Sequence, residues 1–158
     1  MTTKAILDYV RKHPSGKVKI AYTDIDGILR GKYVSASKFL AVAGDTTSFC
    51  DVMFGWDAND VTYDNASYTG WHTGYPDAKT RIDLATFRKI PWENNIPFFL
   101  GEFLDAAGKP STVCPRQLFK QVIGDAQKAG FQPIFAQEFE WFNFNETPAS
   151  AREKNYKD

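Results

Sequence analysis

The sequence predicts an α+β protein, and three observations carry the prediction. Residues 16–110 hold short runs rich in Val, Ile, Tyr and Phe that end at Gly, Asp and Pro turns, the pattern of hairpins. Residues 115–129 hold the one strong helical repeat. Beyond it, Phe135-Ala136-Gln137-Glu138-Phe139-Glu140-Trp141-Phe142-Asn143-Phe144 has the aromatic composition of a long, mostly buried strand. The expected organisation is an N-terminal helix over 1–15, a hairpin-rich domain over 16–110 and, over 111–158, the opening helix and strand of a second domain. A lone helix and strand cannot bury their apolar faces unaided. The second domain therefore reads as incomplete, and the chain as a fragment.

In chain order, Thr3 is placed to cap a helix running to about Lys12, with Ile6, Leu7 and Val10 on one face. His13-Pro14-Ser15-Gly16 ends it. Val18–Thr23 and Ile28–Val34 are expected as a hairpin, because Asp26-Gly27 between apolar runs supplies a glycine for the positive φ such turns need. Ser35 or Ser37 opens a short helix through Phe39, Leu40 and Val42, which Gly44 closes. Phe49–Phe54 and Lys79–Asp83 are expected as short strands. Ile90-Pro91-Trp92 reads as a turn, and Ile96–Leu104 as a clear strand closed by Asp105-Ala106-Ala107-Gly108.

Gly55–Pro76 is a long loop, a length that in compact domains marks a functional segment or disorder. Its aromatics Trp56, Tyr63, Tyr68, Trp71 and Tyr75 argue for packing, against this chain or another subunit. Pro115 suits the first position of the main helix. Leu118, Phe119, Val122, Ile123, Ala126 and Ala129 recur on one face of it, and Gly130 terminates it.

Composition narrows the function. The 158 residues carry 19 basic and 19 acidic side chains, so no net field draws the chain to nucleic acid or an anionic membrane. No apolar run reaches membrane-spanning length and no signal-peptide segment opens the chain. Cys50 and Cys114 are too few for a disulfide framework and lack metal-type spacing, which points to the cytoplasm with both thiols reduced. The aromatic fraction, 15%, is high and concentrated in 49–71 and 131–144; it signals a large core or an uncovered interface.

Strand geometry puts Glu138 and Glu140 on one face, about 7 Å apart, and Phe139 and Trp141 on the other. Such a carboxylate pair among aromatics needs a basic partner, a proton or a hard divalent cation, and spacing does not choose among these. Gly27-Ile28-Leu29-Arg30-Gly31-Lys32 imitates a phosphate-binding loop but fails the test. Its first glycine is one residue too close, Tyr33 stands where Ser or Thr would hold magnesium, and a strand replaces the helix. It reads as a turn followed by an exposed basic strand. His13 and His72 stand apart from any Cys or carboxylate cluster, and no Ser or Cys has the setting of an activated nucleophile. Asp57, Asp60 and Asp64 have the composition of plain turn residues.

Taken together, Asp26-Gly27-Ile28-Leu29-Arg30-Gly31-Lys32, Trp56-Asp57, Tyr75-Pro76-Asp77-Ala78, Pro91-Trp92, Pro115-Arg116 and Glu138-Phe139-Glu140 resemble, in order and spacing, the glutamine synthetase superfamily of ATP-dependent carboxylate–amine ligases. The resemblance implies a β-grasp-like first domain over 16–110 and a truncated α/β catalytic domain from 111 to 158. It implies that Glu138 and Glu140 are ligands of Mg2+ or Mn2+, and that Asp57 helps bind and deprotonate an incoming ammonium or amine. It implies ATP and glutamate as co-substrates, a γ-glutamyl phosphate route, and a homo-oligomeric ring in which the long loop completes a neighbour's site. The loop reads Phe54-Gly55-Trp56-Asp57-Ala58-Asn59-Asp60 where ammonia-using members have Phe-Asp-Gly-Ser-Ser. That is closer to the ligases that join glutamate to amines or polyamines, and to the catalytically silent lengsins. With the ATP site and the remaining metal ligands lying beyond Asp158, this polypeptide by itself is expected to be inactive. The competing expectation is a non-catalytic β-grasp interaction module or a lengsin-like structural relative.

Overall fold

Thr2, one residue ahead of the expected cap, accepts from the Ala5 amide and opens α1 (Thr3–Lys12) in the computed structural model, which describes residues 1–157. Ile6 and Val10 form its buried face. β1 (Lys17–Thr23) and β2 (Leu29–Ser35) are the expected hairpin, paired antiparallel from Lys17↔Ser35 to Thr23↔Leu29. Gly27, at φ 82, makes the turn possible. Ser35 caps α2 (Ala36–Val42) by accepting from the Lys38 amide, and Gly44 follows with φ 95.

Next come β3 (Thr46–Cys50), a 3-10 turn (Asp51–Phe54), β4 (Asp77–Ile90), a second 3-10 turn (Pro91–Glu93) and β5 (Ile96–Phe103). The five strands form one mixed sheet in the order β2-β1-β5-β4-β3. Only β1 and β5 run parallel; every other pair is antiparallel. Strand alternation sends Val18, Ile20, Tyr22, Phe99 and Phe103 to one face, where α1, α2 and the first 3-10 turn cover them. Phe39 of α2, fully buried, stacks on Phe99 with ring centroids 4.6 Å apart. Gly101 allows the Tyr22 ring to lie against the backbone of β5: a Cβ there would meet that ring at 2.1 Å.

Three expected elements differ. The Phe49–Phe54 strand ends at Cys50, because the Asp51 amide donates to Pro76 O and its buried carboxylate accepts from the Thr69 hydroxyl at 2.6 Å, bending the chain. The Lys79–Asp83 strand runs on to Ile90 through an irregularity between Asp83 and Arg88, in which the Thr86 hydroxyl accepts from the Leu100 amide and donates to Asp83 O. Those polar bonds replace the missing ladder and keep the strand continuous across residues that lack alternation. Finally, Phe135–Phe144 is not a strand: it has no pairing partner among the described residues and its large side chains are exposed. A strand needs a neighbour for its amides and carbonyls, whatever its composition.

α3 (Pro115–Lys128) is the expected main helix, and it lies on the sheet the unexpected way round. Gln117 is buried, whereas Leu118, Phe119 and Val122 of its apolar face are exposed. Its seat is ionic: Glu102, 2% exposed, accepts from Arg116 Nε and Gln117 Nε2 at 3.1 Å each and from Lys120, while Asp83 accepts from Arg116 and Lys120 at 2.7 and 3.0 Å. A short α4 (Pro148–Glu153), opened by a Thr147–Ser150 capping box, follows within the polar tail. No helix is long and apolar enough to cross a membrane among the described residues.

Candidate functional site

The β1–β2 turn and the start of the long loop meet at Arg30. Asp24, fully buried at the end of β1, accepts from the amides of Asp26 and Ile28 through Oδ1 and from Arg30 Nε through Oδ2 at 2.7 Å. The rest of the guanidinium reaches across to the loop. Nη2 donates to the main-chain carbonyl of Asp57 at 3.1 Å, Nη1 pairs with the Asp60 carboxylate, and the plane lies over the Trp56 ring, 4.9 Å from its centroid. The Asp24 hydrogen bond, ahead of the Asp60 contact, raises the Arg30 pKa. Arg30 was expected on an exposed basic strand; its side chain is only 16% exposed, because it lies between the buried Asp24 carboxylate and the Trp56 ring, with the exposed Asp60 at its outer edge. Sequence reasoning missed it, although an Asp six residues upstream across a tight turn was the available signal.

The loop it grips is ordered by its own main chain; of the aromatics expected to pack, Trp56 and Tyr75 are half-buried, whereas Tyr63, Tyr68 and Trp71 are exposed. Trp56 bridges Thr62, the Asp57 amide donates to Val61 O at 2.9 Å, and the Tyr63 amide donates to Gly55 O at 2.8 Å. Asp60, at φ 64, makes the reversal, and its amide donates to Asp57 O. Asp57 Oδ1 accepts from the Asn59 and Val61 amides at 2.8 and 3.0 Å, the Asx arrangement that turn aspartates adopt. Its Oδ2 has no donor among the described residues, so one carboxylate oxygen is free while the other is fixed. Tyr63 sits nearby, its hydroxyl held above the ordinary value first by desolvation and then by the negative charges of Asp26, Asp57 and Asp24. Asp64 is exposed, and His72 spends its ring nitrogen on Ser67 O, an ordinary loop histidine.

Glu138 and Glu140 lie elsewhere, in the extended exposed segment, with no ion pair among the described residues. No group of three His, Cys, Asp or Glu able to hold a metal occurs among the described residues. As donors the two carboxylates suit a hard, oxygen-seeking cation, which takes six or more oxygens; they fit such an ion in kind and supply only part of its shell. The segment's other side chains, including Phe139, Trp141, Phe142 and Phe144, are exposed too, and they continue the bare face of α3 through an edge-on contact of Phe119 with Phe135.

No protein-family model matches the chain. It is 48% identical to Type-1 glutamine synthetase 2 of Dictyostelium discoideum over 151 residues, 96% of this chain and 29% of that protein. It is 35% identical to the glutamate–isopropylamine ligase of a Pseudomonas species over 92% of this chain and 32% of the ligase. The chain thus spans about a third of the length of these curated relatives. A solved structure of the GmaS/ADP complex superposes with a TM-score of 0.57 over 78% of this chain and 26% of that one, at 19% identity, a likeness of fold.

Proposed function

This chain belongs to the glutamine synthetase superfamily, and from that premise we propose that it is the amine-side portion of an ATP-dependent glutamate–ammonia or glutamate–amine ligase. The five-stranded mixed sheet is then the β-grasp-like domain, with α3 and the aromatic segment opening the catalytic domain from residue 111. The observation that carries the reading is the state of Asp57: one oxygen held by two amides, the other free, at the tip of an ordered loop. A fixed anion with a free lone pair attracts an ammonium or protonated amine and accepts its proton before the nitrogen attacks an activated carboxyl. Arg30 does not neutralise that anion, since its donors go to Asp24, Asp60 and the Asp57 carbonyl.

Glu138 and Glu140 would hold part of the coordination shell of Mg2+ or Mn2+, whose chemistry when bound is to gather and neutralise phosphate oxygens during transfer from ATP to glutamate. Their exposure supports the role, because carboxylates already paired with arginine or lysine would be poor ligands. In this reading the bare faces of α3 and of 131–144 are covered by the remainder of the enzyme and by neighbouring subunits of a ring. The alternative, a non-catalytic module, predicts that neither Asp57 nor the glutamates matter for chemistry.

The test is a chimera in which this chain replaces the matching segment of the Dictyostelium relative, assayed for ATP-dependent ligation with ammonium, methylamine, ethanolamine, isopropylamine and putrescine. The proposal expects turnover that Glu138→Ala abolishes. A folded chimera that turns over equally well with Glu138→Ala contradicts the metal role.

A further inference from the structure

We infer that Arg30 is the positioning residue of the amine site: it sets the loop that carries Asp57 without bonding to the Asp57 carboxylate. The inference rests on the amine-binding role proposed above. Three features on separate parts of the chain converge on it. Arg30 is anchored from below, because Asp24 is fully buried and has its other oxygen occupied by the turn amides, so the Nε contact cannot swing away without stranding a buried charge. It holds the loop by a main-chain atom, Asp57 O, which also accepts from the Asp60 amide at 3.1 Å, so one carbonyl closes the turn and receives the guanidinium. Finally, the guanidinium lies over Trp56 and meets Asp60, clasping the residues on either side of Asp57.

The choice of contact matters chemically. An arginine bonded to the Asp57 carboxylate would fix it equally well but would compete with an incoming cation for the same charge. By donating to the carbonyl, Arg30 transmits rigidity from the β1–β2 turn without occupying Oδ2. Lysine cannot reproduce this, since its point charge lacks the planar fork that serves Asp24 and the loop together.

Two measurements test the inference. In the 158-residue chain, hydrogen exchange of the Asp57, Val61 and Tyr63 amides is compared between wild type and Arg30→Gln. Exchange is expected to rise roughly tenfold, the effect of losing a charge-assisted hydrogen bond, with Val18, Ile20 and Phe99 in the core unchanged. Unchanged loop exchange overturns the inference. In the chimera, Arg30→Gln is expected to raise the amine KM about tenfold on the same reasoning and to leave the KM for glutamate and ATP within about twofold; a merely structural lesion would move all three.

Asp57→Asn, measured alongside, separates the two ideas. If Asp57→Asn leaves the amine KM unchanged, the proposed role of Asp57 fails, and the inference with it. If Asp57→Asn raises the amine KM while Arg30→Gln loosens the loop without doing so, only the inference fails. Should Arg30→Gln not fold, Asp60→Asn removes the exposed loop-side contact alone and is expected to shift both readouts in the same direction by about threefold, as weaker exposed pairs do; no shift in either counts against the inference.

Discussion

Replacing Glu102 with Ala should release α3 from the sheet without unfolding the sheet. Glu102 is 3% exposed at its side chain and receives Arg116, Gln117 and Lys120, while Leu118, Phe119 and Val122 of the apolar stripe of α3 are exposed. Removing one partner of a buried ion pair costs about 3–5 kcal/mol. Arg116 and Lys120 are 22% and 47% exposed and keep Asp83, so their residual charges are partly solvated and the cost falls below that range, to about 2–3 kcal/mol. At about 1.4 kcal/mol per decade this is a rise of roughly 30- to 150-fold in the opening of α3. Site-resolved hydrogen exchange reads it directly: amides from Leu118 to Ala126 should speed up by that factor while β1 and β5 keep their protection. The control is Phe119→Ser on the exposed face, which should leave α3 exchange unchanged in this chain. If Glu102→Ala leaves α3 protected and Phe119→Ser exposes it, the helix is seated by its apolar face after all and the ionic account is wrong.

Phe39→Ala, which empties a fully buried site stacked on Phe99, should cost about 3–5 kcal/mol in urea unfolding; a loss below about 1 kcal/mol would contradict the packing described. Gly101→Ala should displace the buried Tyr22 ring and its 3.1 Å bond to the Thr80 hydroxyl, costing about 1–3 kcal/mol or more. The seat of α3 should also depend on acidity. Burial alone would raise the Asp83 pKa, but hydrogen bonds from Lys120 and Arg116 outweigh it and hold the group below its ordinary 3.8. A depressed folded pKa gives stability that is present above 3.8 and lost as pH falls through the folded value, so α3 exchange should rise only below about pH 4. The exposed aromatics of 131–144 should bind a hydrophobic dye in the native chain, and Trp141→Ser with Phe142→Ser should reduce that signal.

The elements legible in the sequence were those whose signals are local. The β1–β2 hairpin announced itself through Asp26-Gly27, α2 through Ser35 and Gly44, and α3 through Pro115 and Gly130, because caps and turns act within a few residues. What was not legible depends on distant partners. The 135–144 segment has strand composition, yet composition cannot supply the neighbouring strand that would pair with it. The continuation of β4 past Asp83 rests on Thr86 meeting Leu100, a contact that no alternation pattern encodes. The face on which α3 lands was misjudged for the same reason: helical periodicity shows which side is apolar, while Glu102 and Asp83, on other strands, decide which side is held.

In the candidate site, Asp57 was legible as a turn residue, and its Oδ1 makes the bonds of that turn; the amine-binding role comes from the family resemblance and is the proposal tested below. Arg30 was misread as exposed because its partners lie on either side of a turn and across a gap of 27 residues. Glu138 and Glu140 have the spacing that suggested paired ligands, but they join no group of three His, Cys, Asp or Glu among the described residues.

The most direct test of the account is the amine dependence of the ligation catalysed by the chimera carrying this chain, compared between Asp57 and Asp57→Asn at saturating ATP and glutamate. The account predicts that the variant loses amine-dependent product formation, with the amine KM raised by about tenfold or more, while ATP-dependent activation of glutamate persists. Equal amine kinetics for the two proteins would contradict it.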